Sequence, residues 1–190
     1  MHQRHRLPST TEILQAAHLG PELNIPDSRL EFVLRRGAAL HHAIELDLAG
    51  DLDGSSVVDD IAPRLTAFRA FATAVNLTPI ATEIELTHPT WRVLGHPDLV
   101  AWVNAPGQER RVALIDWKSS WSPHAARIQV AAYEWLWSET YPEQPIQDCL
   151  VVELKADGNY VVHHIDLGDG RQVFQAAICI WYARKEREKA

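Results

Sequence analysis

The sequence predicts an α/β fold in which helices flank a central mixed sheet containing a three-stranded meander. Three observations carry this prediction. Two long stretches place apolar residues three and four apart; the period then shifts to two over three consecutive runs; and a helix-opening Ser-Pro follows directly on the third run, ahead of two further short strands. The 190 residues are 46% hydrophobic, enough for a sizeable core, and contain no linker long enough to divide them. Residues 1–190 are therefore expected to form one domain.

The first helix expected from the sequence follows "NIPDS", where Asp27 or Ser28 caps, and runs to a stop near Gly50. Leu30, Leu34, Gly37, His41, Ile44 and Leu48 fall on one of its faces, so His41 should point inward and Gly37 should allow close approach to the sheet. A second helix, Asp59 to Val75, carries Pro63 in its first turn and a stripe of Ile61, Leu65, Phe68, Ala72 and Val75. Strands are expected at Ile80 to Leu86, at Trp91 to Val103 with an interruption at Gly95 to Pro97, and at Val112 to Lys118, the last two joined by "NAPGQERR". Ser122 and Pro123 then open a helix whose core stripe is Ile128, Ala132 and Trp135. Strands at Cys149 to Leu154 and Tyr160 to Leu167 are linked by the hairpin signal Asp157-Gly158, and a terminal helix begins near Arg171.

Composition removes several function classes. No apolar run approaches the ~20 residues that span a bilayer, so no membrane partner is expected. The basic N-terminus lacks the apolar stretch of a secretion signal, which points to the cytoplasm. Cys149 and Cys179 form no CxxC and read as packed thiols, which excludes an iron-sulfur cluster. No HxxxH or HExxH pair supports a zinc hydrolase. A net charge of −7 argues against a protein that holds nucleic acid by bulk electrostatics. It leaves room for an enzyme acting on phosphate esters, whose carboxylates are local to the site and offset by cations.

The chemistry concentrates in "GHPDLVAWVNAPGQERRVALIDWKSSW". Strand alternation puts Asp116 and Lys118 on one face and Ile115 and Trp117 on the other. Asp98 begins the partner strand after a bent Gly95-Pro97 entry, so a hairpin pairing brings its carboxylate beside Asp116. Two adjacent carboxylates repel unless a cation lies between them, and oxygen ligands select hard ions such as Mg2+ or Mn2+. Lys118 would then orient or deprotonate the attacking water, or stabilise charge developing at phosphorus. This is chemistry suited to phosphodiester hydrolysis. Taken alone, the three residues read first as a surface ion pair worth ~0–1 kcal/mol, and His41 alone as a core histidine. Glu83 and Glu85, sharing a strand face, are either metal or water ligands or the wet side of an edge strand. Gln129 and Tyr133, four apart, share a helix face that reaches back over the strand ends. His163 and His164 alternate across a strand and read as structural. Trp91, Trp102, Trp135 and Trp181 are expected to pack, while Trp121 is placed to stack on a base.

"RGAALHHAIE", "ATEIEL", "LGHPDLV", "LIDWKSS" and "IQVAAYEWL", in this order from Gly37 to Tyr133, together resemble the RecB-like, phage-type exonuclease branch of the PD-(D/E)XK nuclease superfamily. The resemblance covers about half the chain and implies a restriction-endonuclease-like core. It implies His41, Asp98 and Asp116 as metal ligands with the Trp117 carbonyl as a candidate fourth, Lys118 as the catalytic lysine, and Glu83 as the acid of the preceding strand. Gln129 and Tyr133 match its QxxxY motif. The implied activity is a Mg2+- or Mn2+-dependent deoxyribonuclease, exonuclease-like, acting on DNA in recombination, repair or mobile-element processing with a recombination or helicase partner protein. The competing reading is a nuclease-fold binding module without catalysis, suggested by the negative charge balance.

Overall fold

The computed structural model describes residues 6–20, 27–119 and 122–187. Helix α1 (Thr10–Ala16) comes first and precedes every helix expected from the sequence. A reciprocal capping box builds it: the Glu12 amide donates to Ser9 Oγ at 3.2 Å and the Ser9 amide to Glu12 Oε2 at 2.7 Å. It buries Ile13 and Leu14.

Helix α2 (Asp27–Ala49) stops at Gly50, whose φ of +78° suits glycine; the side chains of Asp27 and Ser28 lie outside the described residues. Its buried face is Leu40, Ala43 and Ile44, with Leu48 packed beside them. The expected stripe is wrong at its start, since Leu34 is 58% exposed. A Cβ added at Gly37 would also meet nothing within 4 Å, so no close approach to the sheet occurs there. The apolar spacing is real, but the core begins only at Leu40. Helix α3 (Ala62–Ala74) buries Leu65, Phe68 and Phe71; the Ala72 and Val75 of the expected stripe only border this cluster.

Strands β1 (Thr78–Thr82), β4 (Leu99–Val103) and β5 (Arg111–Lys118) pair antiparallel in sequence and form the expected meander. A separate hairpin of β2 (Leu86–His88) and β3 (Val93–Gly95) is inserted between β1 and β4. The expected strand from Ile80 to Leu86 is therefore broken, because Glu83 turns the chain with φ +49°. After α4 (Pro123–Thr140) crosses over, β6 (Asp148–Leu154) pairs parallel to β5, and β7 (Tyr160–His164) closes the order β1-β4-β5-β6-β7. Helix α5 (Gly170–Arg187) ends the described chain.

Alternation along β5 divides the core. Ala113, Ile115 and Trp117 enter the cluster with α2 and α3, whereas Val112 and Leu114 enter the cluster with α1, α4 and α5. Trp117 packs edge-on against Phe68 and Phe71, with centroids 5.3 and 5.8 Å away. Ile128, Ala132 and Trp135 form the core stripe of α4 as expected. Of the two cysteines expected to pack, Cys149 is buried but Cys179 is exposed on α5. His163 lies 3.7 Å from Glu153 across the β6–β7 pair, His164 is exposed, and Trp121 falls outside the described residues. Among the described residues, no helix is long and apolar enough to cross a membrane.

Candidate active site

The antiparallel register pairs Leu99 with Ile115, and extending it by one residue sets Asp98 opposite Asp116. Both acids thus leave the sheet on the side of α4 and α1. The approach to Asp98 is set by Gly95, where an added Cβ would lie 2.7 Å from Leu136 Cδ1 and 3.0 Å from both Thr10 Oγ1 and Tyr133 Cδ1. Only glycine lets α1 and α4 close over the strand end here. Thr10, fully buried, donates its hydroxyl to the Leu94 carbonyl at 3.1 Å and fastens α1 to the same corner. Neither Thr10 nor the packing role of Gly95 was read from the sequence, although the Ser9-to-Glu12 capping signal was there to find.

Asp98 is held from two sides. The Trp117 amide donates to its Oδ2 at 2.7 Å, and its Oδ1 lies 3.2 Å from His41 Nδ1. His41 comes from α2, pointing inward as its helical spacing predicts. Glu83 does not sit on a strand and shares no face with Glu85. It occupies the left-handed turn after β1, donates its amide to the Asp98 carbonyl at 3.0 Å, and brings Oε1 to 3.7 Å from His41 Nδ1. A non-glycine residue held in this region costs on the order of 1–3 kcal/mol. Glu85 instead points to His96, 3.3 Å away. His41, Glu83 and Asp98 each offer one ligand atom, all within 4.8 Å of one another.

Asp116 is 1% exposed, and its Oδ1 accepts no hydrogen bond. Lys118 Nζ lies 2.7 Å from Oδ2 as an ion pair. Buried carboxylate oxygens are seldom left unsatisfied. Together with the oxygen-rich donors around His41, they fit a divalent cation. Gln129 Nε2 donates to the Tyr133 hydroxyl at 3.0 Å, and both line a chamber of about 320 Å³ with His41, Asp98 and Lys118.

The electrostatics follow from burial set against this crowding of charge. Burial alone would lower the His41 pKa, but the Asp98 charge, hydrogen bonds with Asp98 and Glu83, and the Asp116 charge lift it to about 10. Burial would raise Asp98; the His41 charge and hydrogen bond, then Lys118 and the Trp117 amide, hold it below the usual carboxylate range. For Asp116 burial wins, aided by the Asp98 charge and opposed by Lys118, and its pKa rises to about 6. Lys118 is pulled down by burial and raised further by Asp116 and Asp98, so its ammonium keeps its proton. Burial and the same two carboxylates raise the Tyr133 phenol, which stays neutral.

No protein-family model and no curated protein matches the sequence. Among solved structures, a "putative exonuclease" from Eubacterium rectale is 9% identical, with 93% of this chain and 72% of that chain covered at a TM-score of 0.50. An alkaline exonuclease from Laribacter hongkongensis is 15% identical over 96% of this chain and 90% of that one, with a TM-score of 0.45. The same exonuclease in complex with dAMP gives 15%, 96%, 89% and 0.44. At these identities the likeness concerns the fold. With its helix, three-strand meander, crossover helix and parallel fourth strand, the chain shares its α/β fold with that Eubacterium rectale structure.

Proposed function

We propose that the chain is a divalent-metal-dependent nuclease that hydrolyses phosphodiester bonds in DNA, with Mg2+ or Mn2+ as its ion and exonuclease-like action in recombination, repair or phage and mobile-element DNA processing. The observation that carries this reading is Asp116, a buried carboxylate whose Oδ1 meets no donor and whose Oδ2 meets the Lys118 ammonium, set opposite Asp98.

Asp98 and Asp116 would hold the ion, with His41 and Glu83 from the adjoining cluster and the Trp117 carbonyl completing the set. When bound, the ion neutralises phosphate oxygens and lowers the pKa of a water. The chain's own groups do the rest. Lys118 stays protonated beside two carboxylates, so it acts as a fixed positive charge facing the phosphate and as a donor that orients the attacking water. It is not the base. Hydrolysis forms one P–O bond from water and breaks the P–O bond to the sugar oxygen, which leaves as a hydroxyl carrying one of the water's protons while the other passes to solvent. Tyr133, tied to Gln129, presents a neutral hydroxyl at the chamber wall and helps to seat the phosphodiester.

The test is cleavage of linear and circular DNA with Mg2+ or Mn2+, alongside Asp116→Ala. Cleavage by wild type and its loss in the variant support the reading. DNA binding in Ca2+ without cleavage in either active ion would replace it with a non-catalytic module.

A further inference from the structure

We propose that the cleft between α2 and α4 takes one unpaired nucleobase, that of the nucleotide whose phosphate lies at Lys118, and that Gly37 keeps this cleft open. The inference rests on the nuclease reading above and adds to it a contact with the base beside the reacting bond.

The cleft has a volume of about 360 Å³. Thr11 of α1, His41 of α2, Lys118 of β5 and Gln129 of α4 line both this space and the chamber that holds Asp98. The two spaces adjoin along these side chains, so a nucleoside attached to a phosphate at Lys118 starts at the mouth of the cleft. Beyond that rim the walls turn apolar, with Val33 and Leu34 on α2 facing Ala125 and Ala126 in the first turns of α4. Leu40 and Trp117, each 1% exposed, also line it and belong to the core beneath.

Charge and shape set the ligand class. The chain carries a net charge of −7, yet no carboxylate lines this cleft, and its ionisable groups are His41 and Lys118 on the chamber side. Cationic groups followed by an apolar slot match a phosphate followed by its base. Cavities that take small ligands run from about 300 to 1,000 Å³, and this one suits a single nucleoside rather than a base pair. A base seated between two helices has left its pairing partner. Ser119 and Ser122 add hydroxyl groups for a base edge, and the Ser122 side chain makes no capping bond to α4.

Two features of α2 that the core leaves unexplained fall into place here. Leu34 continues the apolar spacing of the helix but is 58% exposed, and a bound base would cover it. Gly37 sits inside the helix, where glycine is destabilising relative to alanine, although an added Cβ would meet nothing within 4 Å. Packing does not require its missing side chain, whereas the cleft does. Helical side chains lean toward the N-terminus, so a larger residue at position 37 would lie over Val33 and Leu34, in the cleft, and away from His41 one turn later.

The test is calorimetric titration in Mn2+ with thymidine 3′,5′-bisphosphate and with the bisphosphate of the same sugar lacking its base, alongside cleavage of linear DNA. Wild type is expected to bind the thymidine compound at least about tenfold more tightly, as burial of roughly two methylene equivalents would supply. Gly37→Leu fills the cleft and should bring that preference to within about twofold, while the base-free compound and Mn2+ alone bind as in wild type. Leu34→Ala, at an exposed position, should reduce the preference about threefold. If Gly37→Leu keeps the preference, or weakens both compounds equally, the pocket is overturned. Wild type that cuts DNA yet binds the two compounds equally, or binds neither, also overturns it and leaves the nuclease reading standing. Wild type that neither cuts DNA nor binds either compound removes the nuclease reading and the pocket with it. Should Gly37→Leu fail to fold, Leu34→Ala decides, an unchanged preference counting against the pocket.

Discussion

The amide of Trp117 donates to the carboxylate of Asp98 at 2.7 Å across the β4–β5 pair, so one residue serves the two sides of the sheet. Its indole lies among the aromatic rings of α3 while its backbone aims an acid into the site. Core packing beneath the sheet and the geometry above it are therefore the same problem.

Asp98→Ala leaves that buried amide without an acceptor and is expected to cost about 1–3 kcal/mol of stability. Asp98→Asn keeps an acceptor oxygen and should lose much less. Both should abolish cleavage, since neither retains the negative charge. Urea unfolding of the two variants in chelator separates the hydrogen bond from the charge.

His41 gives a pH dependence with a definite sign. Its folded pKa of about 10 lies above the ordinary 6.5, so its contribution is fully present below pH 6.5 and is lost as pH rises through about 10. Chelator-treated wild type should lose stability steadily from pH 7 to 10, and His41→Ala should lose markedly less over that range. Parallel curves for the two proteins in urea titrations would contradict the ion pairs drawn here between His41 and the carboxylates.

Glu83 holds φ +49°, which glycine adopts without steric cost. Glu83→Gly is expected to leave stability unchanged or raise it by up to about 1 kcal/mol while weakening divalent-ion binding. Glu83→Gln keeps the strain and should weaken the ion without the gain. Unfolding curves paired with calorimetric titration of Mn2+ distinguish the two effects.

Two glycines should respond in opposite directions. Gly95→Ala drives a methyl against Leu136, Thr10 and Tyr133 and is expected to cost about 1–3 kcal/mol, with a fall in turnover as Tyr133 is displaced. Gly37→Ala places its methyl in open space within a helix and should stabilise by about 0.5–1 kcal/mol. Thermal unfolding of both variants is the check.

What was legible in the sequence was what periodicity encodes. A period of two put Asp116 and Lys118 on one face, and the meander brought Asp98 opposite; a period of 3.6 turned His41 inward and joined Gln129 to Tyr133. Periodicity says nothing of where a partner surface begins, so Leu34 fits the stripe of α2 and still lies in solvent. It also misses a single left-handed residue, and the turn at Glu83 therefore broke an expected strand and separated Glu83 from Glu85. Helix α1 was legible by another signal, the Ser9-to-Glu12 capping box, which works in a helix too short for its period to stand out. Cys179 shows the remaining gap: burial of a small residue depends on the neighbours that the fold supplies.

Asp98 and Asp116 are proposed to hold one divalent ion beside the Lys118 ammonium. A crystal soaked in Mn2+ and measured at the manganese edge tests it directly. The expected result is an anomalous peak bound by both carboxylates, with His41 or Glu83 in its coordination shell and Lys118 outside it. A site that stays empty at saturating Mn2+, or a peak at Glu85 and His96 instead, would contradict it.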